Sequence, residues 1–270
     1  MKPDIPLLLD LDQRNLAHFL SALALASLAE RIELVGQQTR TCWWRDDDHF
    51  AIQTEYSGED FRRLLYSNAY EFLKALKWVP GLGGVAQGIL VSGGEIGINP
   101  FIYLGGDSSR RPPLRAFSAK VVPAKVLPQQ VEKLPSPTND DWLKEIERGV
   151  SSWGFDCRVN MHASDAGISS DAEGTGGSDP IFPAIELLSL TAVGFFVSAN
   201  AWQTGEHTLC AAAWTYPIPL QMAPLASTGR IHGLPARHWN FTSRGRAHGK
   251  GSSFQFFPPA TSTNPGDISL

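Results

Sequence analysis

Apolar residues recur at helical spacing in three stretches of the chain. In the first, Leu16, Phe19, Leu20, Leu23, Ala24 and Leu28 fall three and four apart with small alanines between them. That period predicts a helix over about residues 15 to 30, with Asp12 or Asn15 as its N-cap. The second opens at Gly58 and Glu59 and lines one face with Phe61, Leu64, Leu65, Ala69, Phe72, Leu73 and Leu76. Pro80 and the glycines behind it are expected to end it, because proline removes a helix donor and clashes with the preceding turn. The third runs from Ala184 to Val197, with Pro183 in the first turn, where a missing N–H costs nothing.

Between these stretches the pattern shortens. Strand-like runs occur at 41–44 and 50–54, joined through Asp46, Asp47 and Asp48. Shorter β-prone runs stand at 88–91 and 101–104 within a segment punctuated by glycine and proline. Three prolines in 128–138 read as a linker. A short helix at 140–148, a strand at about 154–160 and a Ser/Gly-rich loop over 164–179 follow. The C-terminal part alternates runs at 210–216, 238–242 and 253–257 with turns, and the polar tail after about 258 is expected to be disordered. The pattern predicts an α+β fold: mixed short sheets with three main apolar helices. Two lobes are expected, residues 1–135 and 136–270.

Composition agrees with a globular chain: 270 residues, 43% hydrophobic and 19% charged. No run of 18 apolar residues offers a membrane span, and acids at Asp10 and Asp12 interrupt the N-terminal apolar stretch, unlike a signal peptide. The three cysteines are widely spaced, as expected of a reduced, cytoplasmic protein without structural zinc.

The net charge is −4, yet nine of the 23 basic residues sit in two short windows that hold no acid. The first contains Arg110, Arg111, Arg115, Lys120 and Lys125; the second contains Arg237, Arg244, Arg246 and Lys250. Such segregation suits a local anionic contact on an otherwise repelling surface, and equally two solvated loops. In the second window, Arg244-Gly245-Arg246-Ala247-His248-Gly249-Lys250-Gly251 reads as a flexible basic loop running into Phe254 and Phe256. Cations on a glycine-rich backbone can follow phosphates, and neighbouring aromatics can stack bases. The alternation at Phe254 and Phe256 also fits a core strand with both rings facing inward.

Signals for catalysis are weak. Gly81-Leu82-Gly83-Gly84-Val85-Ala86 matches a dinucleotide-binding pattern but follows a helix, where the chemistry needs a strand before it and a helix after it. No Walker lysine loop or Gly-x-Ser-x-Gly elbow is present, and His232, His238 and His248 stand too far apart for a local metal pair. Asp46 to Asp48 with His49 offer hard donors for a divalent cation, although a soluble turn uses the same residues. A small metal-dependent hydrolase or nuclease centred there is the alternative to a non-catalytic role. No catalytic residue, metal ligand or cofactor is assigned.

In order and spacing, several segments together resemble the large-subunit-like protein of type I-U (I-G) CRISPR effector complexes. These are Asp12-Gln13-Arg14-Asn15 with Phe19-Leu20, Leu23 to Leu28 and Trp43-Trp44; Leu114 to Lys120; and Phe155 to Arg158 with Asp165 to Ser169. Phe182 to Leu188 with Gly194-Phe195-Phe196, Trp214 to Pro219 and the Arg244 to Phe257 run complete the series. The resemblance implies a non-catalytic subunit of a Cascade-type surveillance complex, engaged in antiviral defence. Its implied partners are the other protein subunits, guide RNA, target DNA and a recruited helicase-nuclease, with no membrane. In that setting the two basic windows would place phosphates and help sense the motif flanking the target.

Overall fold

The computed structural model describes residues 5–32, 40–45, 49–56, 58–81, 84–92, 123–138, 140–150, 153, 156, 181–198, 202–203, 208–242, 244–248, 252–256 and 259–263. The fold is mixed α+β, with five helices, two four-stranded antiparallel sheets and two hairpins among these residues.

Helix α1 (Leu16–Arg31) is the hub. Thirteen of its sixteen residues are buried, so it is enclosed on nearly every side. Asn15 supplies its N-cap, accepting the Ala17 amide at 3.0 Å. At the other end the Arg40 guanidinium donates to the Ala29 carbonyl at 2.8 Å, satisfying an acceptor the helix cannot satisfy itself. Helix α2 (Gly58–Lys74) is amphipathic, and buries Phe61, Leu65, Tyr66, Ala69 and Leu73. Helix α3 spans Pro123–Glu132, α4 Pro183–Ser198 and the short α5 Ala223–Ser227.

The first sheet has the order β1–β3–β2–β8, formed by Leu7–Asp10, His49–Gln53, Thr41–Trp44 and Ile218–Pro219. The second has the order β12–β9–β7–β6, from Thr261–Thr263, Ala236–Thr242, Thr208–Trp214 and Trp202–Gln203. Helix α1 packs on both sheets through Phe19, whose ring stacks on Trp44 of β2 at 5.5 Å and tilts against Phe241 of β9 at 5.7 Å. The Trp214 indole N–H donates to the Cys42 carbonyl at 2.8 Å, tying β7 to β2. One hydrophobic core therefore takes residues from both sides of position 135.

The structure departs from the sequence pattern in five places. Residues 128–132, expected in a linker, belong to α3, because Val126, Leu127 and Gln130 form a buried face while Pro128 points to solvent. Helix α2 ends at Lys74, and Leu76–Gly81 is strand β4, paired with β5 (Gly84–Ser92). Leu76 continues the apolar face in sequence, but pairing with Ser92 overrides that period. The expected helix at 140–148 is only a 3-10 turn, Trp142–Lys144, followed by a bridge from Glu147 to Ile181. The basic loop at 244–248 is strand β10, paired with β11 (Ser252–Phe256). The tail after 258 contributes β12, held against β9. The expected strands at 101–104 and 154–160 and the loop at 164–179 lie wholly or largely outside the described residues.

Candidate nucleic-acid interface

The second basic window builds a ribbon. Strands β10 and β11 pair antiparallel, with Arg244 facing Phe256, Arg246 facing Phe254 and His248 facing Ser252; Gly245 faces Gln255 and Ala247 faces Ser253. Residues directly opposite in an antiparallel pair share a face, and successive residues alternate between faces. One face of the ribbon therefore carries Arg244, Arg246, His248, Phe254 and Phe256. The other carries Gly245, Ala247, Ser253 and Gln255.

Two arginines and two phenylalanines gathered in one register suit a ligand that is anionic along one edge and flat along another.

The remaining predicted contacts do not all join this ribbon. Arg237 lies in β9, facing Ala213 of β7, in a different sheet from β10. It is half-buried and engaged within the fold. Lys125 is the third residue of α3. Arg110, Arg111, Arg115, Lys120 and Lys250 lie outside the described residues.

The acidic trio Asp46 to Asp48 also lies outside them. Its flanks form a close antiparallel pair: Trp44 faces Phe50, and the Arg45 amide donates to the His49 carbonyl at 2.8 Å. Among the described residues, no three His, Cys, Asp or Glu side chains converge as a metal site. The dinucleotide-like glycines fall in a hairpin, Gly81 closing β4 and Gly84 opening β5, so no helix N-terminus follows them there.

A second polar cluster escaped the sequence reading. The Asn15 side-chain amide donates to Asp156 at 2.8 Å, with both residues buried. His18 Nδ1 accepts the Asp12 amide at 2.9 Å, and its Nε2 stands 4.0 Å from the other Asp156 oxygen. Because Nδ1 accepts, neutral His18 carries its proton on Nε2, towards the carboxylate. Nearby, Gln13 accepts the Trp239 indole N–H at 3.1 Å. These groups pin the start of α1 to residue 156 and to β9. Only their spacing around the helix start, Gln13, Asn15 and His18, hinted that polar residues there face inward.

A groove of about 140 Å³ lies between β1, α2 and the 140–144 turn. Four of its charged residues take part in ion pairs, Lys144 with Asp10, and Arg62 with Asp140 and with Glu59 beside it. The Lys144 hydrogen bond holds the Asp10 carboxyl below its usual range. Ligand pockets span about 300–1,000 Å³, so this groove is small for a nucleotide.

Two thiols are described. Burial pushes Cys42 strongly up, with the nearby Glu30 charge adding to it, and burial pushes Cys210 up as well. Neither has the lowered pKa of a reactive cysteine. No described helix is long and apolar enough to cross a membrane.

No protein-family model matches the chain, and neither does any curated protein.

Proposed function

We propose that this chain is a non-catalytic, nucleic-acid-contacting subunit of a type I-U RNA-guided surveillance complex. It would contribute to guide RNA and target DNA binding next to other protein subunits. The observation that carries the reading is the β10–β11 register, which gathers Arg244, Arg246, Phe254 and Phe256 on one ribbon face. The segment resemblance adds the kind of assembly, and the segregated basic windows add the anionic partner. An acidic net charge suits a subunit, since affinity for nucleic acid would come from the assembly and only one face would meet phosphate.

The test is to co-express the tagged chain with the products of its neighbouring genes and sequence any RNA that purifies with it. A discrete short RNA, recovered with repeat-derived ends and several protein subunits, is the expected result. Recovery as a clean, RNA-free monomer would overturn the reading.

A further inference from the structure

We infer that the turn at residues 229–235, with Tyr216 beside it, is a contact for an unpaired stretch of nucleic acid; this rests on the nucleic-acid reading of the chain. Residues 207–266 contain no Asp or Glu, and Arg230, His232, Arg237 and His238 fall within the described part of that span. The described acids belong to the chain before it, where Asp10, Asp140 and Asp141 gather at the groove between β1 and α2. On a chain of net charge −4, so long an acid-free span sets a local positive field against an otherwise repelling surface, which favours phosphate there.

The turn joins α5 to β9 and is anchored from inside. Gly229 follows the helix at φ +71°, and its amide donates to the Ala226 carbonyl at 3.0 Å. A methyl group on Gly229 would touch the His238 ring at 3.5 Å, so the turn starts directly over β9. Ile231 and Leu234 pack against the hydrophobic core, and the Leu234 amide donates to the Ile231 carbonyl at 3.3 Å. Gly233 reverses the chain between them at φ +76°, a conformation that favours glycine. A Cβ there would meet no atom within 4 Å. Two apolar residues therefore hold the turn down, while Arg230, His232 and Gly233 are exposed. A cation carried on an anchored turn loses little freedom when it meets a ligand.

Tyr216 stands at the same end of the second sheet. The Thr215 amide donates to the Pro235 carbonyl at 3.0 Å, one pair beyond Trp214 and Ala236. Tyr216 thus leaves β7 where the turn enters β9. It is 65% exposed, more than any other large apolar residue described, so core packing does not account for its ring. A single strand carries phosphates along one edge and bases along the other. Arg230 can take the first and Tyr216 can stack on the second. The ring needs a bare base face, which a duplex covers with the next base pair, and neither contact reads base identity.

The test measures binding of the full-length protein, at low salt, to labelled oligo-dT and to a duplex of equal length, using variants that melt as the parent does. The parent should bind oligo-dT more tightly than the duplex. Tyr216→Ala should weaken oligo-dT binding about fivefold or more, the lower end of what one stacked base contributes, and Tyr216→Phe, which keeps the ring, should retain it. Arg230→Gln should reduce the steepness of log affinity against log salt by about 0.7, the value of one single-strand phosphate contact. Arg63→Gln, which removes an exposed cation from α2, should change neither. Duplex bound as tightly as oligo-dT, Tyr216→Ala and Arg230→Gln binding as the parent does, or an equal loss in Arg63→Gln would overturn this contact and leave the nucleic-acid reading in place. Variants that bind oligo-dT normally but no longer co-purify with other subunits would make the surface a protein contact and overturn the inference. A parent that binds neither probe would overturn both.

Discussion

At the scale of single residues, the best-defined chemistry of the described chain is structural. Asn15 does two jobs: its carbonyl oxygen caps α1, and its amide nitrogen donates to the buried Asp156 carboxylate. These can be separated. Asn15→Ala removes both, costing about 1 kcal/mol for the cap and about 1–3 kcal/mol for the lost donor. Asn15→Asp keeps a good cap but sets a second carboxylate against Asp156. Two facing carboxylates raise the folded-state pKa of one of them, so the Asp variant is penalised above that raised pKa and recovers as pH falls through it. We expect the Asp variant to be at least as unstable as the Ala variant at neutral pH and to close the gap near pH 5, in denaturant melts of both. A parallel pH dependence for the two variants would remove Asp156 from the account. The sequence announced the cap but not its partner, because Asp156 lies 141 residues away and nothing local marks it as buried. Likewise the basic windows were visible as charge, whereas the alignment of Arg244 with Phe256 depends on register, which composition does not encode.

At the scale of elements, helix α1 and helix α4 pack through small polar side chains. Ser21 Oγ donates to the Ile185 carbonyl at 3.0 Å and lies 3.3 Å from Ser189 Oγ, which in turn reaches the carbonyls of Ile185 and Ala17 at 2.6 and 2.8 Å. Small residues let the two backbones approach, and the hydroxyls satisfy themselves on carbonyls within that dry contact. Ser21→Ala should therefore cost about 0.5–1.5 kcal/mol, the net worth of a hydrogen bond. Ser21→Leu should cost more, about 1–3 kcal/mol from overpacking on top of that loss. Thermal unfolding of the two variants orders them; a Leu variant as stable as the Ala variant would show that the helices have room to part. The period of apolar residues sufficed to place α1, α2 and α4, since α1 and α4 bury long runs and α2 buries residues at helical spacing. It failed where pairing or distant burial decided the outcome. Leu76 fitted a helical face but pairs in β4, and Pro128 signalled a linker although α3 buries Leu127 and sends Gln130 to the Trp153 indole.

At the scale of the whole molecule, the order of strands shows how late parts of the chain complete early ones. Strand β8 adds to the edge of the N-terminal sheet, with Cys42 facing Ile218, and α4 from the second half packs against α1 from the first. The C-terminal segment closes the second sheet in the same way. Thr261, Ser262 and Thr263 face Asn240, Trp239 and His238 of β9, and the Ala260 amide donates to the Arg14 carbonyl at 2.8 Å, just before α1 begins. Trp239 also holds Gln13 through its indole N–H, so β9 connects the C-terminal strand to the start of the central helix. A chain ending at Pro258 leaves β9 as an open edge and frees the Arg14 carbonyl. With each lost hydrogen bond worth about 0.5–1.5 kcal/mol, the truncation should cost about 2–4 kcal/mol in total. For a chain of this size that corresponds to a fall in Tm of roughly 4–16 °C. A chain ending at Thr263 retains β12 and should melt several degrees above the shorter one. If the two truncations melted together, β12 would contribute nothing to stability; if they separated as expected, the polar tail would begin beyond Thr263, and β9 would be an internal strand leading directly into the basic ribbon at Arg244.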